Sequence, residues 1–96
     1  MAKLHNAGTF ESEHHGVQTL YMFHCPGCGN AHGFHVPRWS FDGNMERPTF
    51  TPSLMCNRDD PETRCHSIVT AGKINFCSDC HHILAGQTVD MPDWED

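Results

Sequence analysis

The sequence is poor in aliphatic side chains. Leu, Ile, Val and Phe together make up 17 of its 96 residues, which is a lean supply for the core of a single small domain. Domains of this kind are usually stabilised by disulfide bonds or by a metal ion. The chain has six Cys and nine His, so we expect one of these two kinds of cross-link.

Long hydrophobic runs and basic residues are also scarce. The longest apolar run, Leu20–Phe23, is too short to cross a membrane. The first ten residues lack the apolar segment of a secretory signal, so we expect a cytoplasmic protein. Six basic and twelve acidic residues give a formal net charge of −6, which disfavours binding to nucleic acid because that relies on Lys and Arg.

Two pairs of closely spaced cysteines favour a metal ion over disulfides. Cys25 and Cys28 lie in the segment CPGC, and Cys77 and Cys80 lie in CSDC. A spacing of two residues lets both thiolates bind one tetrahedral ion, and a reducing cytosol disfavours disulfides. Thiolate-rich sites prefer zinc among the common divalent ions. The sequence therefore predicts a structural zinc site.

Short β-branched and aromatic segments between turn residues predict a small β-rich domain, similar to a zinc ribbon, with antiparallel strands and at most one short helical turn. Residues 1–16 are polar and are predicted to form a flexible arm or an edge segment, and residues 17–96 the zinc-bound domain. The predicted elements are strands at 17–24, 32–36, 49–55 and 87–90 and a helical turn at 81–85.

A β-hairpin is the clearest local prediction. Segments 65–70 and 73–77 flank Ala71-Gly72, a good two-residue turn. In this register Val69 pairs with Ile74 and Ser67 with Phe76. Because side chains alternate faces along a strand, Cys65 lies on the inward, apolar face, and His66 and Cys77 lie on the opposite one.

Two sets of metal ligands remain open at this point. The first is the plain two-knuckle set, which local spacing favours: Cys25, Cys28, Cys77 and Cys80. The second replaces one cysteine and admits His66 or His82 as substitutes: Cys25, Cys28, Cys65 and Cys80.

Several longer motifs resemble a family of small uncharacterised zinc-ribbon-like proteins encoded by phages and prophages, some of which carry the label "ammonia monooxygenase". The resembling segments are CPGCG (25–29), WSFDG (39–43), RPTFTPSL (47–54), CHS (65–67), DC (79–80) with His82, and LAGQTV (84–89). The family pattern includes the positions of Cys65, His66, Cys80 and His82, but it does not require Cys77 or Cys56. The resemblance therefore implies the ligand set Cys25, Cys28, Cys65 and Cys80.

The sequence offers no clear catalytic constellation. We therefore expect a phage-type accessory protein that binds an unidentified protein of the bacterial host's machinery or defence. The alternative is a small zinc-dependent hydrolase that uses His66, Asp79 or His82 as a base. A nucleic-acid-binding zinc ribbon, with Trp39 as a stacking surface, is a further alternative. In the first interpretation Asp79 orients a ligand histidine or caps a turn.

Overall fold

The computed structural model of the protein describes residues 2–14 and 16–94. Met1 and His15 of the predicted arm, and Glu95 and Asp96 of the predicted domain, lie outside the described residues. Within the described part, nine strands form three antiparallel sheets, β1-β2-β3, β4-β5 and β6-β7-β8-β9. The strands are β1 (His5–Ser12), β2 (Gly16–Cys25), β3 (Asn30–Val36), β4 (Ser40–Phe41), β5 (Phe50–Thr51), β6 (Leu54–Cys56), β7 (Cys65–Thr70), β8 (Lys73–Phe76) and β9 (Thr88–Asp90). The predicted small β-rich fold is confirmed.

The first sheet carries the CPGC knuckle at one end. β2 and β3 form a hairpin in which Cys25 pairs with Asn30 and Phe23 with His32, so the knuckle is the hairpin turn. Phe23 and Cys25 alternate with half-buried neighbours and are themselves fully buried. The polar segment before β2 forms the edge strand β1, whose side chains are mostly exposed.

The predicted hairpin and its register are confirmed in the third sheet. Val69 pairs with Ile74 and Ser67 with Phe76. Ala71 and Gly72 have φ angles of 49° and 78°, and positive φ at both central residues is what a tight type I′ turn between antiparallel strands requires. The inward face of the hairpin is buried, as its apolar residues predict.

The segment predicted as a single strand at 49–55 is interrupted. Phe50–Thr51 and Leu54–Cys56 are separate strands that belong to different sheets. Pro52 lies between them and has no N–H for a sheet hydrogen bond. Ser53 therefore lies in irregular backbone immediately before β6.

Aromatic side chains join the sheets into one core. Phe34 stacks on Phe50 with ring centroids 4.0 Å apart, and it also contacts Phe23 and the edge of Trp39. Phe76, from the third sheet, is also fully buried. Packing of these sheets against each other brings the CPGC knuckle close to the beginning of β7.

The segment after β8 is a series of turns. The N–H of Ala85 donates to the carbonyl of His82 at 3.1 Å, and the N–H of Gln87 donates to the carbonyl of Leu84 at 3.0 Å. These bonds form short turns where the sequence predicted one helical turn. In residues 2–14 and 16–94, no helix is long and apolar enough to cross a membrane.

Candidate functional site

Four side chains from three parts of the chain converge beside the core. They are Cys25 and Cys28 of the knuckle, His32 of β3 and Cys65 of β7, and their potential ligand atoms all lie within 4.8 Å of one another. The Sγ atoms of Cys25 and Cys65 are 3.9 Å apart. Three thiols and one imidazole are a donor set that could hold a metal ion in tetrahedral geometry.

The knuckle backbone is shaped for this arrangement. The N–H of Cys28 donates to Cys25 Sγ at 3.4 Å, and the N–H of Gly29 donates to the Cys25 carbonyl at 2.9 Å. Gly29 has a φ of 75°, which a residue with a Cβ rarely adopts. A Cβ at Gly27 would overlap with the His82 ring. The glycines therefore permit both the turn and the close approach of His82.

The two ring nitrogens of His32 lie in different surroundings. Its Nδ1 lies 3.5 Å from the Sγ of Cys56. Among the described residues, its Nε2 is a buried nitrogen without a hydrogen-bond partner. Metal-binding histidines commonly use one nitrogen for the ion and the other for an orienting partner, so the orphaned Nε2 fits a metal ligand and Cys56 fits the orienting partner.

The electrostatics of the cluster favour the thiolate form of Cys25. Hydrogen bonding to Cys65, reinforced by His32, holds the pKa of Cys25 well below its usual value, against the opposing effect of burial. The same hydrogen bond to Cys25, together with burial, raises the pKa of Cys65. The neighbouring Cys25 thiol, and to a lesser extent that of Cys56, favours protonated His32 and raises its pKa to about 11. These shifts favour the thiolate form of Cys25 and the thiol form of Cys65.

The other ligand candidates from the sequence lie around this cluster. Cys65, Cys80 and His82 form a second group of potential ligands, in which His82 Nε2 lies 3.6 Å from Cys65 Sγ. Cys80 Sγ also accepts from the His66 N–H at 3.2 Å and donates to the His66 carbonyl at 3.1 Å. Cys77 is grouped with His66 and Asp79, away from the inward face that carries Cys65.

The outward face of the third sheet holds a different arrangement. His66 Nε2 lies 3.0 Å from Ser53 Oγ, and His66 Nδ1 lies 3.4 Å from Asp79 Oδ1. A hydroxyl, an imidazole and a carboxylate in this order are the geometry of a serine nucleophile, its general base and the group that orients the base. The side chains of His66 and Asp79 are 27% and 38% exposed, so a substrate has access to them.

Ser53 is held in place through its backbone. The indole N–H of Trp39 donates to the Ser53 carbonyl at 3.3 Å, and the Trp39 ring packs edge-on against Phe34. Trp39 is the residue that the nucleic-acid interpretation assigns to base stacking. In the structure its indole contacts the core and the segment that carries Ser53.

Sequence reasoning missed Ser53 and His32. Ser53, His66 and Asp79 are spaced by 13 residues each, and only the pairing of β6 with β7 brings the first two together. His32 carried a local signal, because Cys25, Cys28 and His32 have the spacing C-x2-C-x3-H, but its place in a predicted strand concealed it.

One comparison with known protein families gives a match. Residues 2–77 match the family described as "Bacterial ubiquitination-like system serine protease (BubE)", so most of the chain is covered, including Ser53 and His66. The chain belongs to the BubE family. Comparisons with curated proteins and with solved structures give no match. The description of the family names a bacterial ubiquitination-like system, and the resemblance to phage and prophage proteins stays a prediction.

Proposed function

We propose that this BubE-family protein is a serine protease in which Ser53 is the nucleophile, His66 the general base and Asp79 the residue that orients His66. The observation that carries the proposal is the pair of contacts at the two nitrogens of His66, 3.0 Å to Ser53 Oγ and 3.4 Å to Asp79 Oδ1. The description of the family as a serine protease supports the same chemistry.

The proposed reaction follows from the arrangement of the three groups. Ser53 Oγ attacks the carbonyl carbon of the scissile bond while its proton passes to His66 Nε2. The protonated His66 is stabilised by the carboxylate of Asp79 and gives its proton to the leaving group. Water, deprotonated by His66, then hydrolyses the acyl-Ser53 intermediate and restores the enzyme.

The proposed substrate is a protein of the bacterial ubiquitination-like system after which the family is described. A protease of this kind must bind a protein. We therefore propose that the protein partner predicted from the sequence is the substrate. The phage-type origin and an action on host machinery or defence remain predictions, as does a cytoplasmic location.

We further propose a structural zinc ion bound by Cys25, Cys28, Cys65 and His32. The support is the convergence of the four donors, the buried Nε2 of His32 and the preference of thiolate-rich sites for zinc. Cys80, the fourth ligand implied by the family resemblance, and His82 are the competing candidates, since both are grouped with Cys65. Zinc bound here would cross-link the knuckle to β7. The acyl transfer would take place on the outward face of the third sheet, at Ser53 and His66.

A fluorophosphonate probe, which reacts with activated serine hydroxyls, tests the proposed nucleophile. We expect one covalent adduct on the native chain, located at Ser53 by peptide mass spectrometry. Ser53→Ala should lose the adduct, whereas Ser78→Ala, a substitution of an exposed serine beside Asp79, should keep it. Adduct formation that persists in Ser53→Ala, or that never occurs on the folded native chain, would overturn the assignment.

The same experiment separates the serine mechanism from the zinc-hydrolase alternative. A metal-bound water has no serine to modify, so a zinc hydrolase would cleave substrate without reacting with the probe. We expect Ser53 labelling and hydrolysis of p-nitrophenyl acetate to be lost together in Ser53→Ala. Hydrolysis that survives this substitution would favour the zinc-dependent alternative.

A further inference from the structure

A further group of potential ligands includes two residues of the proposed triad. His66, Cys77 and Asp79 offer ligand atoms that all lie within 4.8 Å of one another. The three side chains lie at the end of the β7–β8 hairpin, where the N–H of Cys77 donates to the His66 carbonyl at 2.9 Å. Cys77 has no part in the proposed acyl transfer, so its position beside the other two residues needs a separate explanation.

The three donors suit a borderline-soft divalent cation. Thiolate, imidazole and carboxylate are all zinc ligands, with bond lengths of about 2.0–2.3 Å. Around a tetrahedral ion, donors at these lengths lie about 3.3–3.8 Å apart. The ligand atoms here lie within 4.8 Å of one another, so a contraction of at most about 1.5 Å would close the group on an ion. His66 and Asp79 are partly exposed, which leaves the fourth position open to water and makes binding reversible.

We propose that His66, Cys77 and Asp79 form an inhibitory binding site for zinc or a similar transition-metal ion, separate from the structural site. The nitrogen of His66 that faces Asp79 is Nδ1, at 3.4 Å, and we assign the ion to this nitrogen. The inhibitory role rests on the proposed function of His66 as the general base.

Inhibition follows from the chemistry of the imidazole ring. A neutral imidazole has one protonated and one unprotonated nitrogen. When an ion binds Nδ1, the ring proton moves to Nε2, which then has no lone pair to accept the proton of Ser53. Cys77 releases its thiol proton to solvent, Asp79 binds the ion instead of orienting His66, and no electron is transferred. Zinc binding therefore removes both the base and its orienting group.

Calcium and magnesium are expected to have no such effect. Both ions prefer oxygen ligands, of which this group offers only one carboxylate. The site thus responds to transition metals, and Cys77 provides that selectivity. Loss of an orienting partner of a metal ligand typically lowers metal affinity by about 10–100-fold. Because Cys77 would bind the ion directly, loss of its sulfur should lower the affinity further.

The test uses the full chain with its structural metal bound and has two readouts. The first is hydrolysis of p-nitrophenyl acetate with and without added zinc, with each variant normalised to its own rate in the absence of zinc. The second is titration with cobalt(II), followed by the thiolate-to-cobalt charge-transfer absorbance, which reports binding whether or not the chain is an enzyme. The variants are Cys77→Ala, Cys77→Ser and, as a matched control on the adjacent residue, Ser78→Ala.

We expect added zinc to inhibit the native chain and Ser78→Ala, with magnesium inactive in both. In the two Cys77 variants, the zinc concentration for half-inhibition should rise by about 100-fold or more, and the additional cobalt absorbance should disappear. Cobalt absorbance that is unchanged in the Cys77 variants would overturn the site. Cobalt absorbance that depends on Cys77 without any zinc inhibition of an active chain would overturn the inhibitory role. If no chain hydrolyses the ester, the proposed function has failed and the cobalt titration alone decides the site.

Discussion

Cys65 and His66 are consecutive residues of β7, and their side chains serve opposite faces of the sheet. Cys65 Sγ lies 3.9 Å from Cys25 Sγ in the metal-ligand cluster, whereas His66 Nε2 lies 3.0 Å from Ser53 Oγ. This division follows from the alternation of side chains along a strand. One strand therefore connects the proposed zinc site to the proposed general base.

Cys80 makes a second connection between the two sites. Its Sγ contacts both the N–H and the carbonyl of His66, and it follows Asp79 directly in the chain. The turn that carries Asp79 is thereby fixed to the backbone of His66. We expect a disturbance of the metal-ligand cluster to displace the triad as well.

Asp79→Asn should reduce hydrolysis while the fold is retained. The amide has no negative charge to stabilise protonated His66 and favours the wrong ring tautomer, so we expect a loss of about 10³–10⁴-fold in kcat. The rate of p-nitrophenyl acetate hydrolysis measures the effect. Asp59→Asn, on the exposed loop after β6, is the charge-matched control and should keep the native rate. An Asp79→Asn variant as active as this control would remove Asp79 from the triad.

Removal of the metal should unfold the chain and abolish fluorophosphonate labelling together. A structural zinc site contributes about 10–16 kcal/mol to folding at neutral pH in small domains, and the core here is lean. We expect a strong chelator, or Cys25→Ser, to give an unfolded or molten chain by circular dichroism. Cys77→Ser, which removes a thiol outside the Cys25 cluster, should bind one structural metal and keep the native spectrum. A chelated chain with unchanged melting would contradict the structural role of the metal.

Substitution of His32 should distinguish among the candidates for the fourth ligand. We expect His32→Ala to weaken zinc binding by at least about 100-fold, because a direct ligand matters more than an orienting partner. His82→Ala and Cys80→Ser should each bind zinc with less than about tenfold change. Competition with a chromophoric chelator measures the affinities. If Cys80→Ser loses zinc affinity strongly and His32→Ala keeps the native affinity, Cys80 is the fourth ligand, as the family resemblance implies.

The β7–β8 hairpin and the turn between Cys25 and Cys28 could be predicted because each depends only on residues close together in the sequence. The Ala71-Gly72 turn and the alternation on either side of it determined the hairpin register, and with it the opposite facing of Cys65 and His66. The CPGCG segment (25–29) predicted a tight turn with two metal-binding thiols in the same way, because both thiols and both glycines lie within five consecutive residues.

The triad could not be predicted locally because its parts depend on sheet order. Ser53 lies in irregular backbone between Pro52 and the three-residue strand β6, so its position relative to His66 follows only from the pairing of β6 with β7. Asp79 is brought to His66 by the turn after β8. No short motif around Ser53 indicates a nucleophile. The sequence alone therefore favoured an accessory protein that binds another protein.

Phe34→Ala should destabilise the metal-loaded chain strongly. Phe34 is fully buried and stacks on Phe50 between the first and second sheets, and truncation of a buried Phe typically costs about 3–5 kcal/mol. Urea unfolding at constant zinc concentration measures the loss. Phe10→Ala is the matched control, because Phe10 is 43% exposed on β1, and it should cost less than about 1 kcal/mol. Equal losses in the two variants would show that Phe34 does not join the sheets.

A double-mutant cycle on Ser53 and His66 tests most directly whether the two residues act as nucleophile and base. Hydrolysis of p-nitrophenyl acetate is measured for the native chain, Ser53→Ala, His66→Ala and the double variant, all loaded with metal. Residues that act as one catalytic unit have non-additive effects, so we predict that each single substitution lowers kcat by about 10⁴-fold or more and that the double variant is no slower than either. Losses that multiply in the double variant, or a Ser53→Ala chain that retains the native rate, would contradict the proposed catalytic pairing of Ser53 and His66.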